Sequence, residues 1–214
     1  ELLGVPAGDT ASRPELQGAP LGLNGLVFKT ADADGTYRHL QAIGMAGEPP
    51  KSFTRPVETP DGTRDACFRT VTVRSDVFAA GRVYFCEHNT PGLVWRADLP
   101  ELQRHANGAQ SVREIVVVSD TPAEEVANFA LLLDAPISPE GNSVVVAGFR
   151  VVVVAWAEYD DRFGELALPR PPGADQQASM FGAVGVSCQR GAESAVQNGQ
   201  ACMLEGQPRC GFRR

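Results

Sequence analysis

A unit made of one strand, one short helix and further strands begins more than once in this sequence, and that recurrence constrains the fold more than any other feature. Gly22 to Lys29 (GLNGLVFK) is an apolar run of strand length, and Thr30, Ala31 and Asp32 supply a turn and a helix N-cap. Ala33 to Ile43 follows as a helix with Ala33, Tyr37, Leu40 and Ile43 at helical spacing, and Gly44 ends it. A second start lies at Arg113: Ile115 to Val118 is apolar, Ser119-Asp120-Thr121-Pro122 caps the next helix, and Val126, Phe129, Ala130 and Leu133 share a face. One shift lays Asp32 on Asp120. Another lays Val116, Val118, Ser119 and Glu125 on Val184, Val186, Ser187 and Glu193, a third start.

Each helix is followed by β-rich sequence. After the first come strands near Ser52 to Val57, Ala66 to Val73 and Arg82 to His88, separated by Pro60-Asp61-Gly62 and Ala79-Ala80-Gly81. After the second, Asn142 to Val146 and Phe149 to Trp156 meet at Ala147-Gly148, a tight hairpin or bulge. The pattern is β-α-β-β-β, repeated, in an α+β fold. Leu168 to Ala174 (LPRPPGA) is the clearest linker, and Gln200 to Arg214 reads as loop or tail.

Composition narrows the function classes. A net charge of −7 repels polyphosphate, which argues against nucleic acid as a partner. No apolar run approaches the roughly 20 residues of a membrane span. The longest, Val144 to Val154, is broken by Gly148 and Arg150. Five cysteines without a CxxC pair fit neither a disulfide framework nor a structural zinc site, so a reducing, cytoplasmic location is expected. GxSxG, Walker, GxGxxG and HExxH motifs are not present.

In order, Glu1-Leu2-Leu3-Gly4-Val5, Phe53-Thr54-Arg55-Pro56, Pro60-Asp61-Gly62, Cys67-Phe68-Arg69-Thr70-Val71, Phe85-Cys86-Glu87-His88-Asn89-Thr90-Pro91, Leu93-Val94-Trp95-Arg96 and His105-Ala106-Asn107-Gly108-Ala109 resemble the glyoxalase-like domain of the vicinal oxygen chelate superfamily. The resemblance implies repeated βαβββ modules with curled mixed sheets and helices on the outer face. It divides the chain into the last strand of a first module plus loop at 1–20, a second module at 21–110, a third at 111–168, and a partial fourth with tail at 175–214. It implies that the first module begins upstream of Glu1.

In this superfamily paired modules curl around a cleft where carboxylates and imidazoles hold a divalent metal that polarises adjacent substrate oxygens. By resemblance, Glu1 and His88 are the catalytic and metal-ligating candidates. Zinc, iron, manganese, nickel and magnesium are not distinguished, and a metal-free protein stands level, since Leu23-Asn24-Gly25 offers no ligand where relatives often carry one. Alternation puts Tyr84, Cys86 and His88 on one strand face and Val83, Phe85 and Glu87 on the other, and the resemblance, whose motif places a His at position 88, implies that the first of these meets substrate.

The substrate-binding candidates are Arg69, Trp95, His105 and Asn107. An inward Arg55 or Arg69 selects an anionic group, and an outward one is the polar face of a strand. His105 and Asn107 either orient a substrate oxygen or build a turn, and Trp95 either walls the cleft or packs over the sheet edge. Cys86 reads as a core residue and His39 as solvent-exposed. The resemblance implies a small-molecule substrate with vicinal oxygens and an enzyme of lyase, isomerase or dioxygenase type. The alternative is a metal-free binding or resistance-type protein, and in a third reading the later modules only buttress the first. Such modules also pair across two chains, so a homodimer is compatible.

Overall fold

The computed structural model describes residues 22–170 and 178–188 and the backbone of 201–204. Its elements run β1 (Gly25–Thr30), α1 (Ala33–Ala42), β2 (Lys51–Thr59), β3 (Gly62–Thr72), β4 (Arg82–His88), β5 (Ala109–Ser119), α2 (Pro122–Leu133), β6 (Ser143–Val146), β7 (Phe149–Val154), α3 (Trp156–Phe163), β8 (Ser179–Cys188) and β9 (Ala201–Leu204). Two mixed sheets result, in the orders β1-β4-β3-β2 and β6-β7-β5-β8-β9. Glu1, the strand expected at its start and the linker beyond Arg170 lie outside the described residues.

Local chemistry explains the unit. Asp32 is extended (φ −145°) and its carboxylate accepts from Gly35 N at 2.9 Å, which caps α1, while Gly44 takes φ 73° just beyond the helix. The cap of α2 is Thr121, one position later than Asp120. Asp120 accepts from Ala178 N at 2.8 Å instead, so that carboxylate ties β8 to the turn. The unit still repeats at the strand end: the Thr30 hydroxyl meets Thr36, and Glu125, at the place of Thr36, meets Ser119.

Three further differences from the spacing stand out. β7 ends at Val154, and Trp156 opens α3 rather than extending the strand, because Tyr159 and Phe163, one helical turn apart, bury a common face. Ala201–Leu204, in sequence read as loop, pairs parallel with β8. His39, read as exposed, is half-buried, with Nε2 3.3 Å from the Leu132 carbonyl.

The first strand of each unit runs parallel to a neighbour: β1 to β4, β5 to β7, β8 to β9. β5 and β8, two such first strands, pair antiparallel with each other. One face of each sheet joins a shared core. Leu26, Val71, Val83 and Phe85 lie there with Leu40 of α1, and Ile115, Val117, Val151 and Val153 with Val126 and Phe129 of α2. Phe78 and Phe129 meet at 4.4 Å between centroids. Each such buried side chain contributes about 1.5–3 kcal/mol over exposure.

The opposite face of the second sheet is closed as well. Val116, Val118, Val152, Val154 and Ala183 pack under Tyr159 and Phe163 of α3. The Tyr159 hydroxyl donates to Gly182 O at 2.9 Å and accepts from Leu168 N at 3.2 Å. Buried Glu114 binds Arg150 at 2.5 Å and Arg162 at 2.7 Å, which pins α3 to β5. The corresponding face of the first sheet carries Val27, 46% exposed, and Phe53, 38% exposed.

Candidate functional site

On β4, Val83, Phe85 and Glu87 point toward α1, and Glu87 Oε2 accepts from Ala33 N at 3.2 Å. Tyr84, Cys86 and His88 therefore take the open face. The register adds neighbours to it: Lys29 stands beside Cys86, Cys86 beside Thr70, Phe68 beside His88, and Phe53 beside Phe68.

These side chains form an aromatic strip. Phe53 stacks on Phe68 at 5.1 Å, Phe68 meets the His88 ring edge-on at 5.0 Å, and His88 lies 4.6 Å from Trp95. A cation sits at each end, Lys29 Nζ 5.0 Å from the Trp95 ring and the Arg55 guanidinium 5.7 Å from Phe53. Trp95 is placed from below. Its backbone N–H donates to Pro91 O at 2.9 Å, Thr90 Oγ1 accepts from Cys67 N at 2.7 Å, and Arg96 donates to Glu58 O at 2.9 Å.

Electrostatics favour a neutral imidazole. Burial, and then the charge of Lys29, hold His88 below its ordinary pKa, and its Nδ1 is buried without a hydrogen-bond partner. Burial, and then Glu87, push the Cys86 thiol up, so it is a packing residue and not a nucleophile.

The sequence candidates separate. His88 and Trp95 come together. Arg69 lies on the opposite face, where its guanidinium donates to both Asp34 oxygens at 2.9 and 2.8 Å and stands 3.7 Å from Glu87. Arg69 thus ties β3 to the start of α1 and leaves the strip without it. His105 and Asn107 build the turn that feeds β5: Gly108 N donates to His105 O at 2.9 Å, and Asn107 Oδ1 accepts from Ala109 N at 3.1 Å. Lys29, Phe53 and Phe68 are strip residues that spacing alone does not reveal. Their signal is two-residue alternation, usable only once the register is known.

The expected metal finds an incomplete donor set. Among the described residues no three His, Cys, Asp or Glu side chains are placed to hold an ion, and Lys29 brings a positive charge beside His88. Among the described residues His88 has no co-ligand, and Glu1 lies outside them.

The fold and site define a protein of the vicinal oxygen chelate type, with strand-helix-strand units and an aromatic face on one sheet. The model of the family described as glyoxalase-like domain matches residues 1–133, and the chain belongs to that family. A crystal structure of a hypothetical protein from Staphylococcus aureus is similar at 12% identity and a TM-score of 0.64, covering 94% of this chain and 73% of that one. No curated protein matches the sequence significantly. Among the described residues no helix is long and apolar enough to cross a membrane.

Proposed function

We propose that the open face of the first sheet binds a small planar molecule carrying adjacent oxygens, at least one of them anionic. The observation that carries this is the run Phe53, Phe68, His88 and Trp95 with Lys29 over its end. Aromatic faces take a flat ring, and an ammonium at the rim takes its oxyanion. In this reading His88, held neutral, is the proton acceptor at the site. The second sheet buttresses the first, because α3 fills its corresponding face. The acidic charge and odd cysteine count support a cytoplasmic setting without nucleic acid.

A second reading is favoured by the unpartnered Nδ1 of His88. It is a metal-dependent enzyme of lyase, isomerase or dioxygenase type, with Glu1 as the other ligand. Titration separates the two. Catechol, benzoate and 2-hydroxybenzoate are added while tryptophan fluorescence is followed, in Trp156→Phe so that Trp95 reports alone. Saturable quenching that persists after chelation and weakens in Lys29→Ala is the expected result. Quenching that appears only with added zinc, manganese or nickel favours the second reading, and no quenching by any of the three overturns the first.

A further inference from the structure

We infer that Arg82 reads a ligand carboxylate at the second end of the open face, so that the molecule bound there is a flat ring carrying an extended acidic arm. The inference rests on the binding proposed for the aromatic strip and carries it to the other end of the same face. Its template lies inside the fold. In the second sheet Glu114 of β5 stands beside Arg150 of β7 and accepts from its Nε at 2.7 Å. In the first sheet Gly25 of β1 stands beside Arg82 of β4 in the same parallel pairing. Gly25 precedes the α1 cap, Asp32, by the same count as Glu114 precedes the α2 cap, Thr121, so the glycine holds the place of the carboxylate.

That exchange leaves a cation and room beside it. Among the described residues Arg82 has no carboxylate partner, and its guanidinium lies 5.5 Å from the centre of the Tyr84 ring. A Cβ on Gly25 meets only Arg82 O, at 3.8 Å, whereas Glu114 fills the space over Gly185, where a Cβ falls 2.8 Å from Glu114 Cβ. Arg82 and Tyr84 line a hollow of about 370 Å³, and Thr72, opposite Tyr84 in the register, adds a hydroxyl to it. Of the other charges lining it, Arg74 is engaged by Asp76 and the Gly44 carbonyl, and Glu48 is exposed. A guanidinium already stacked on a ring and lacking a carboxylate is ready to bind one.

Spacing sets the length of the ligand. Tyr84, under the guanidinium, and His88, in the strip, share a face of β4 two alternations apart, about 13 Å at roughly 3.3 Å per residue. A guanidinium-carboxylate bond takes about 3 Å of this, which leaves about 10 Å between ring and acid. That is the reach of 6-phenylhexanoate and well beyond that of benzoate.

The test has two arms. In the first, calorimetric titration compares benzoate, 6-phenylhexanoate and 6-phenylhexanamide. The long acid is expected to bind at least about threefold more tightly than its amide, and Arg82→Gln to abolish that difference while benzoate affinity stays the same. The second arm needs no ligand. Gly25→Glu sets a carboxylate where the other unit has Glu114, so urea unfolding finds it more stable than Gly25→Gln, and adding Arg82→Gln removes the difference. Gly25→Glu also lowers affinity for the long acid to that of the amide. Benzoate binding with no gain from the acidic arm, or a gain that survives Arg82→Gln, overturns this inference and leaves the strip reading standing; no binding by any of the three overturns both. Equal stability of Gly25→Glu and Gly25→Gln also overturns it, because Arg82 then does not reach a carboxylate at that place.

Discussion

The His88 imidazole lies 4.6 Å from the Trp95 indole at an interplanar angle of 34°, and this contact covers a ring whose Nδ1 has no partner. Trp95 is half exposed and rides on a loop, so removing it uncovers His88 without opening the core.

Trp95→Ala therefore raises the His88 pKa toward the ordinary 6.5, because burial is the larger cause of its depression. A lowered pKa stabilises the fold above the ordinary value, and that contribution is lost as pH falls through the folded one. The parent chain loses stability on acidification from about pH 6.5, and the variant loses less over the same window. NMR titration of the His88 ring, assigned with His88→Gln, and urea melts across that range check both.

Arg69→Ala separates tether from ligand contact. Its partner Asp34 is largely exposed and the pair is screened by solvent, so the loss of stability is small. Affinity for the aromatic probes stays at the parent value. A large fall in affinity with unchanged stability contradicts the helix-side placement.

What sequence made legible follows from the range of the interactions involved. The Asp32 cap, the turn at Gly62 and the hairpin at Ala147-Gly148 are local, and each is set by a few adjacent residues. Alternation within one strand sets His88 on a face with Tyr84 and Cys86, and the family resemblance, not the spacing, says which face is open. Arg69 is not settled that way, because whether β3 turns it toward α1 depends on pairing with β4, and Arg69 lies opposite Glu87 in that register. Phe53 and Lys29 reach the strip through pairings between distant segments. The helical face of Tyr159 and Phe163 was present in the sequence, but the valine run before it concealed where the strand stops.

Glu125 is 6% exposed, accepts from Ser179 Oγ at 3.1 Å and bonds Ser119. Burial, outweighing these bonds, pushes its carboxyl above the ordinary range. A raised pKa stabilises the fold below the unfolded value, and that stability is lost as pH rises through the folded one. Glu125→Gln keeps acceptor capacity and removes the ionisation. The variant is more stable than the parent at neutral pH, and the difference vanishes in acid, as thermal melts at several pH values read directly.

Ala147 and Gly148 both take positive φ, 48° and 79°, in the two-residue turn between β6 and β7. An alanine there carries a left-handed penalty that asparagine relieves through local hydrogen bonding. Ala147→Asn raises stability by some part of the roughly 1–2 kcal/mol left-handed cost, measured by urea unfolding. Gly148→Val lowers it.

Tyr159 is fully buried and its hydroxyl joins β8 to the segment after α3, through Gly182 O and Leu168 N. Tyr159→Phe leaves a carbonyl and an N–H without that partner and costs about 1–3 kcal/mol. Gly182→Ala acts at the same contact by another route, since a Cβ there falls 2.7 Å from the Tyr159 ring. If α3 is packing and the second sheet is support, both variants melt at lower urea while probe affinity per folded molecule is unchanged. Loss of affinity in a folded Tyr159→Phe shifts the binding site to the second sheet.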